Sequence, residues 1–204
     1  MLSEKEIVKS NIGLVAYDSG GANYIKSFIL HYSIYPNIYV GGPAESIFKS
    51  IKGLKKFYSI EEIVNNSEIL IFGSGWETKF EMEALLYAKN KIPTITFLDH
   101  WTNYKQRFII NDKEILPDII VVFDIYAYEL AKKSFPGNKN ILHFSNYYLI
   151  NQLSESHKFK NQNKHILFID EPIMSHYEST NNYKYDEFSG LKYFLNHIKE
   201  NNLL

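Results

Sequence analysis

Cysteine is absent from all 204 residues. That absence excludes disulfides, thiolate metal sites and a cysteine nucleophile. A surplus of charge is missing too: 22 Lys and Arg stand against 23 Asp and Glu, for a formal net charge of −1. Such a balance gives no basic footprint, so nucleic acid is not an expected partner. No stretch approaches the roughly 18 consecutive apolar residues that a membrane span requires. The N-terminal MLSEKEIVKS lacks the apolar core of a signal peptide. With no cysteine and no leader, the cytoplasm is the expected compartment. His157, His165 and His176 are scattered and H-E-x-x-H does not occur, so neither a metal nor another cofactor is expected. The motif G-x-x-x-x-G-K-[ST] is also absent, and no glycine run has the G-x-G-x-x-G spacing.

What the chain does contain is an ordinary globular inventory, 45% hydrophobic and 22% charged. Its length supports one large domain, or one domain and part of another. Residues 12–17 (IGLVAY) read as a buried strand, followed by the turn Asp18-Ser19-Gly20-Gly21-Ala22 and a helix over 22–32. Residues 38–40 form a short strand, and Pro43 opens a helix over 44–50. A third strand is expected within 55–58. Ser59 caps a short helix with an acidic first turn. The run 68–72 (EILIF) is a strand that ends in Gly73-Ser74-Gly75, and 77–90 is a helix with Phe80, Ala84, Leu85 and Ala88 as its apolar stripe. Strands follow at 94–98, 119–123 and 141–144, with Asp124 capping a helix over 125–134.

Strand, glycine or acid turn, helix and strand recur in that order. The alternation predicts an α/β fold: a Rossmann-like open parallel sheet with helices on both faces. Its strands are near-continuous apolar runs, as burial on two faces requires. This unit spans residues 1–153. Residues 154–164 (SESHKFKNQNK) are polar and read as a linker. Residues 165–204 start again with a strand over 165–169, then Asp170-Glu171-Pro172, a polar stretch, and a helix over 188–200. One strand and one helix cannot enclose a core, so 165–204 either packs back on the first domain or is the incomplete start of a second Rossmann-like domain, and we read it as the latter.

The candidate chemistry gathers at predicted strand ends. Gly20 and Gly21 allow backbone N–H groups to approach a ligand where a helix begins, beside Asp18 and Ser19. Gly73-Ser74-Gly75-Trp76-Glu77 is a second such turn. Its spacing does not fit a G-x-S-x-G nucleophile, so Ser74 reads as a hydroxyl donor or a helix cap. Glu77 at a helix start is half explained by the helix dipole. After the strand at 94–98, Asp99-His100-Trp101 opens a polar and aromatic loop that reaches Arg107. Histidine is the side chain suited to proton transfer near neutral pH, so His100 is the acid/base candidate, with Asp99 or Asp18 as its carboxylate partner. Arg107 suits a phosphate or carboxylate, or else a surface charge.

Residues 13–23 (GLVAYDSGGAN), 69–93 (ILIFGSGWETKFEMEALLYAKNKIP) and 94–108 (TITFLDHWTNYKQRF) together resemble the N-terminal half of a GT-B-type protein. That is the two-Rossmann-domain architecture of many nucleotide-sugar glycosyltransferases. HILFIDEP at 165–172 resembles the first strand of the second domain. The resemblance implies transfer of a sugar from a nucleotide-sugar donor to a carbohydrate acceptor, as in bacterial surface polysaccharide biosynthesis. It implies that this half binds the acceptor, with Asp18 or His100 as base. Asp99 stands beside that base, and Ser19, Gly20, Gly21, Gly73, Ser74, Gly75, Trp76, Glu77, Trp101 and Arg107 line the cleft. The related UDP-N-acetylglucosamine 2-epimerases carry H-G-D-T and E-A-G-x-R patterns, which are absent here. With the donor half truncated, the implied activity calls for a homo-oligomer or a completing partner chain. The alternatives are a non-catalytic module that binds a sugar nucleotide or a partner, and an epimerase or hydrolase using Asp99, His100 and Glu77.

Overall fold

The structure, a computed structural model, describes residues 2–75, 78–156, 167–169 and 186–201. It divides into two compact units, Met1–Lys158 and Phe159–Leu204.

The first unit is an α/β fold of the expected class. Its strands are β1 (Ile12–Ala16), β2 (Asn37–Val40), β3 (Lys55–Lys56), β4 (Ile69–Phe72), β5 (Thr94–Phe97), β8 (Ile119–Val122) and β9 (Ile141–His143). They form one parallel sheet in the order β3-β2-β1-β4-β5-β8-β9. The chain runs outward from β1 to one edge through β2 and β3, then returns to start the other half at β4. The strand order therefore reverses between β1 and β4, where an open sheet of this kind leaves a crevice beyond its strand ends.

Every residue of β1, β4, β5 and β8 is buried. Alternation across the pleat sends them into two cores. Leu14, Ala16, Ile71, Ile95, Phe97 and Val121 pack against α2 (Ser19–His31) through Ala22, Ile25, Phe28 and Ile29. Val15, Leu70, Phe72, Ile120 and Val122 face α4 (Ile60–Asn65), α5 (Phe80–Ala88) and α6 (Ile125–Ser134). Helices thus cover both faces. Caps at Ser59 and Asp124, which accept from Glu62 and Ala127 N–H, start α4 and α6 where expected. Pro43 opens α3 (Pro43–Phe48).

Other elements differ from expectation. A six-residue helix α1 (Glu4–Lys9) precedes β1, fixed by a reciprocal Ser3–Glu6 capping box. A hairpin of β6 (Ile109–Ile110) and β7 (Lys113–Glu114) follows a single 3₁₀ turn, Gln106–Phe108. The third strand shrinks to Lys55–Lys56 at the sheet edge. Helix α2 begins at Ser19, so Gly20 and Gly21 lie in its first turn and not in a loop before it. Asp18 is extended there, and its carbonyl accepts from Ala22 N–H at 3.2 Å, which closes that turn. Helix α7 (Tyr147–Ser156) reaches into the stretch read as a linker.

In the second unit, Leu167–Ile169 is not a strand, correcting that expectation for its described part; residues 165–166 and 170–185 lie outside the described residues. Helix α8 (Glu187–Glu200) is capped by Asp186, which accepts from Ser189 N–H at 2.6 Å. Phe168 and Phe194 stack there with ring centroids 4.6 Å apart.

Candidate functional site

Three strand ends meet at the crevice: Tyr17 and Asp18 after β1, Gly73-Ser74-Gly75 after β4, and Asp99 after β5. Glycine is what lets them meet. A Cβ on Gly21 would lie 3.0 Å from the Cα of Gly73, so the first turn of α2 rests directly on the backbone of the β4 turn. Gly20 and Gly21 have negative φ, so it is closeness and not a left-handed backbone that calls for glycine here.

Carboxylates fill the space those glycines leave. A Cβ on Gly20 would overlap Asp99 Oδ2, and one on Gly75 would overlap Asp18 Oδ2. The Asp99 carboxylate is held from behind. Its Oδ1 accepts from Ser74 Oγ at 3.1 Å and lies 3.6 Å from Arg107 Nη1. Arg107 is only 6% exposed. It donates through Nη1 to the Ser74 carbonyl at 2.6 Å and to Ser74 Oγ at 3.3 Å, and through Nε to the Thr102 carbonyl at 3.2 Å. Arg107 is therefore a buried brace joining the β4 and β5 turns, and not a surface charge. Thr96 Oγ1 reinforces the same junction, 3.4 Å from the Gly73 carbonyl.

A further carboxylate, unforeseen in the sequence, stands behind Asp18. Glu81, in the first turn of α5, is 1% exposed. Its Oε1 accepts from Tyr17 N–H at 2.9 Å, whereas its Oε2 is buried without a hydrogen-bond partner among the described residues. Oε2 lies 3.1 Å from the same Gly75 Cβ position that Asp18 Oδ2 overlaps, so the two carboxylates face one point. Burial drives the Glu81 carboxyl up to about 7; the Tyr17 N–H opposes the rise and the charge of Asp18 adds to it. A sequence signal did exist. Glu81, Ala84, Leu85 and Ala88 have the i, i+3, i+4, i+7 spacing of one buried face, and an acid on that face is anomalous.

The remaining candidates divide. His100 is exposed and makes no hydrogen bond or ion pair among the described residues, with neither Asp99 nor Asp18 as its partner. Ser19 is exposed at the start of α2. Trp101 is 58% exposed, and its indole N–H donates to Asp124 Oδ2 at 2.9 Å, fastening the β5 loop to the cap of α6. Tyr24 approaches from α2 against Phe123, 4.6 Å between centroids, and burial, together with the charges of Asp99 and Asp124, raises its hydroxyl above the usual range. Trp76 and Glu77 lie outside the described residues; Lys79, not Glu77, immediately precedes α5.

A cavity of about 660 Å³ lies elsewhere, between α3 and the β2–β3 edge, lined by Ile38, Val40, Phe48, Lys49, Leu54 and Lys56. Its charged lining residues, Glu45, Lys49 and Lys56, are all exposed, whereas the glycine crevice holds buried Glu81 and Arg107, so chemistry favours the crevice. Among the described residues no set of three or more His, Asp or Glu is arranged to hold a metal. No described helix is long and apolar enough to cross a membrane. Comparison with family models and with curated proteins finds no match.

Proposed function

We propose that the chain is the acceptor-binding half of a GT-B-like glycosyltransferase, which transfers a sugar from a nucleotide-sugar donor in polysaccharide biosynthesis. One observation carries the reading: Asp18, Ser74 and Asp99 converge on a glycine-lined floor at the strand-order reversal. Ligands of open parallel sheets bind at that place. Asp18 is half-buried at the crevice, with its carboxylate over Gly75, and so is the base in this proposal. It takes the proton of an acceptor hydroxyl as that oxygen bonds to the anomeric carbon. The bond from that carbon to the phosphate oxygen breaks, and the nucleoside diphosphate leaves with the electron pair. Asp99, Ser74 and Arg107 hold the floor in place, and His100 is a solvent-facing neighbour.

In this reading the donor nucleotide is gripped by a second Rossmann-like domain, and the protein works in the cytoplasm. Calorimetry of the full chain against UDP, CDP and GDP sugars, followed by turnover assays with carbohydrate acceptors, tests it. Asp18→Asn is expected to lower turnover by about 10²–10⁴-fold, the usual worth of a positioned base, while His100→Ala leaves it within about threefold. Binding without turnover in any acceptor mixture would instead make the chain a non-catalytic sugar-nucleotide module. An altered sugar in the NMR spectrum of UDP-N-acetylhexosamine incubated alone would make it an epimerase.

A further inference from the structure

The first turn of a helix that follows a glycine-bearing strand end ordinarily favours an anion. Its backbone N–H groups lack helical partners, and the helix dipole presents its positive end. Helix α2 has such a turn at Ser19-Gly20-Gly21, with Asp18 making no side-chain cap to it. A protein carboxylate already lies against that turn, at the side-chain position of Gly20. Asp99 Oδ2 takes the space a Gly20 side chain would fill, its other oxygen is held by Ser74 Oγ, and Arg107 is its counter-ion from below. Arg107 is buried and its described bonds all run to Asp99, Ser74 and Thr102, so its charge is spent internally.

The other side of the crevice has the opposite need. Among the described residues Glu81 Oε2 is buried with no hydrogen-bond partner, and it faces the point that Asp18 Oδ2 also faces. Where Glu81 is ionised, above about pH 7, two carboxylates turned toward one point attract hydrogen-bond donors and repel anions. A ligand hydroxyl brought to that point has one proton to donate, to Asp18 or to Glu81.

We infer that Asp99 acts as an internal anion at the first turn of α2, so that the crevice takes a neutral, hydroxyl-bearing ligand on Asp18 and excludes phosphate. The ligand's being a carbohydrate rests on the proposed function. The internal anion does not. The inference separates ligands of that one class: an unphosphorylated sugar is accepted, and the same sugar carrying phosphate is refused.

The test uses the full chain, labelled with nitrogen-15, and three probes: methyl glucoside, glucose 6-phosphate and inorganic phosphate. Methyl glucoside is expected to shift the amides around Gly20, Gly21 and Gly75, and to do so about tenfold more tightly than glucose 6-phosphate, a difference of about 1.4 kcal/mol. Inorganic phosphate is expected to leave these amides unmoved. Asp99→Asn keeps an acceptor for Ser74 and leaves Arg107 without its counter-ion, so it should gain phosphate binding at the same amides by about tenfold. The double variant Asp99→Asn/Arg107→Met should lose that gain. Phosphate bound as well by the wild-type chain as by Asp99→Asn would overturn the internal anion. So would a well-dispersed Asp99→Asn spectrum that phosphate leaves unchanged. If the variant does not fold, the wild-type comparison alone decides, because equal or tighter binding of glucose 6-phosphate refutes the inference. A glucoside that binds nowhere, beside an Asp99→Asn variant that gains phosphate, sinks the carbohydrate reading and the ligand class while the internal anion stands.

Discussion

Glu81 holds a carboxyl group in a place where its charge is poorly solvated, and the consequence is a pH-dependent stability. An ordinary glutamate titrates near 4.5, whereas burial raises this one to about 7 in the folded chain. Between those values the native state keeps a proton that the unfolded chain releases. The stabilisation is therefore complete below about pH 4.5 and is lost as pH rises through about 7. The shift corresponds to roughly 3 kcal/mol over that window. Urea denaturation should accordingly give a higher midpoint near pH 5 than near pH 8, and Glu81→Gln should flatten that difference. Glutamine keeps an oxygen for the Tyr17 N–H, so a variant with an unchanged pH slope would show that Glu81 is not the group responsible. Arg107 makes the converse case. Arg107→Met leaves Asp99 beside Ser74 without a counter-ion, and breaking a buried pair in this way costs about 3–5 kcal/mol. Loss below about 1 kcal/mol in the same denaturation assay would mean that solvent already screens the pair.

At the scale of elements, the close approach of α2 to the β4 turn depends on two glycines that face each other. Gly21→Ala would set a methyl group 3.0 Å from the Cα of Gly73, against backbone that cannot swing aside. Alanine is the better helix former by about 1 kcal/mol, but overpacking of this kind costs about 1–3 kcal/mol. The expected result is a net loss of stability, and a gain in thermal midpoint would show that the two turns can separate cheaply. The elements themselves were legible in the sequence where one physical signal dominated. Strands β1, β4, β5 and β8 are buried on both faces and read as continuous apolar runs; Ser59, Asp124 and Pro43 mark helix starts by local chemistry. Helix α1 is short and mostly polar, with only Ile7 buried, so its capping box is its main signal. Helix α7 buries no residue fully and turns its polar end into what reads as a linker. The site was legible as a set of strand ends but not as a set of contacts. That Arg107 turns inward to Ser74, and that His100 turns to solvent, depends on the 3₁₀ turn after Asn103, a residue at φ 56°.

Across the whole chain, the sheet order places β1 and β4 side by side although more than fifty residues separate them, and this adjacency creates the crevice. Alternating strands and helices predict a parallel sheet but not its strand order, so the reversal point becomes visible only in the fold. Among the described residues, the buried residues of both cores that support it lie within the first unit, from Ile7 to Phe144. A fragment ending at Lys158 should therefore fold alone. It should unfold in one cooperative transition, with an extrapolated unfolding free energy within about 10–15% of that of the full chain, the uncertainty such extrapolations carry. A broad or probe-dependent transition would mean that the second unit contributes to the first unit's stability. Because every pairing in the seven-stranded sheet is parallel and needs a crossover connection, refolding of the fragment is expected to be slow, in the millisecond-to-second range. Recovery of the Glu81-dependent pH slope in that fragment would locate the carboxylate pair, and with it the crevice, entirely within the first unit.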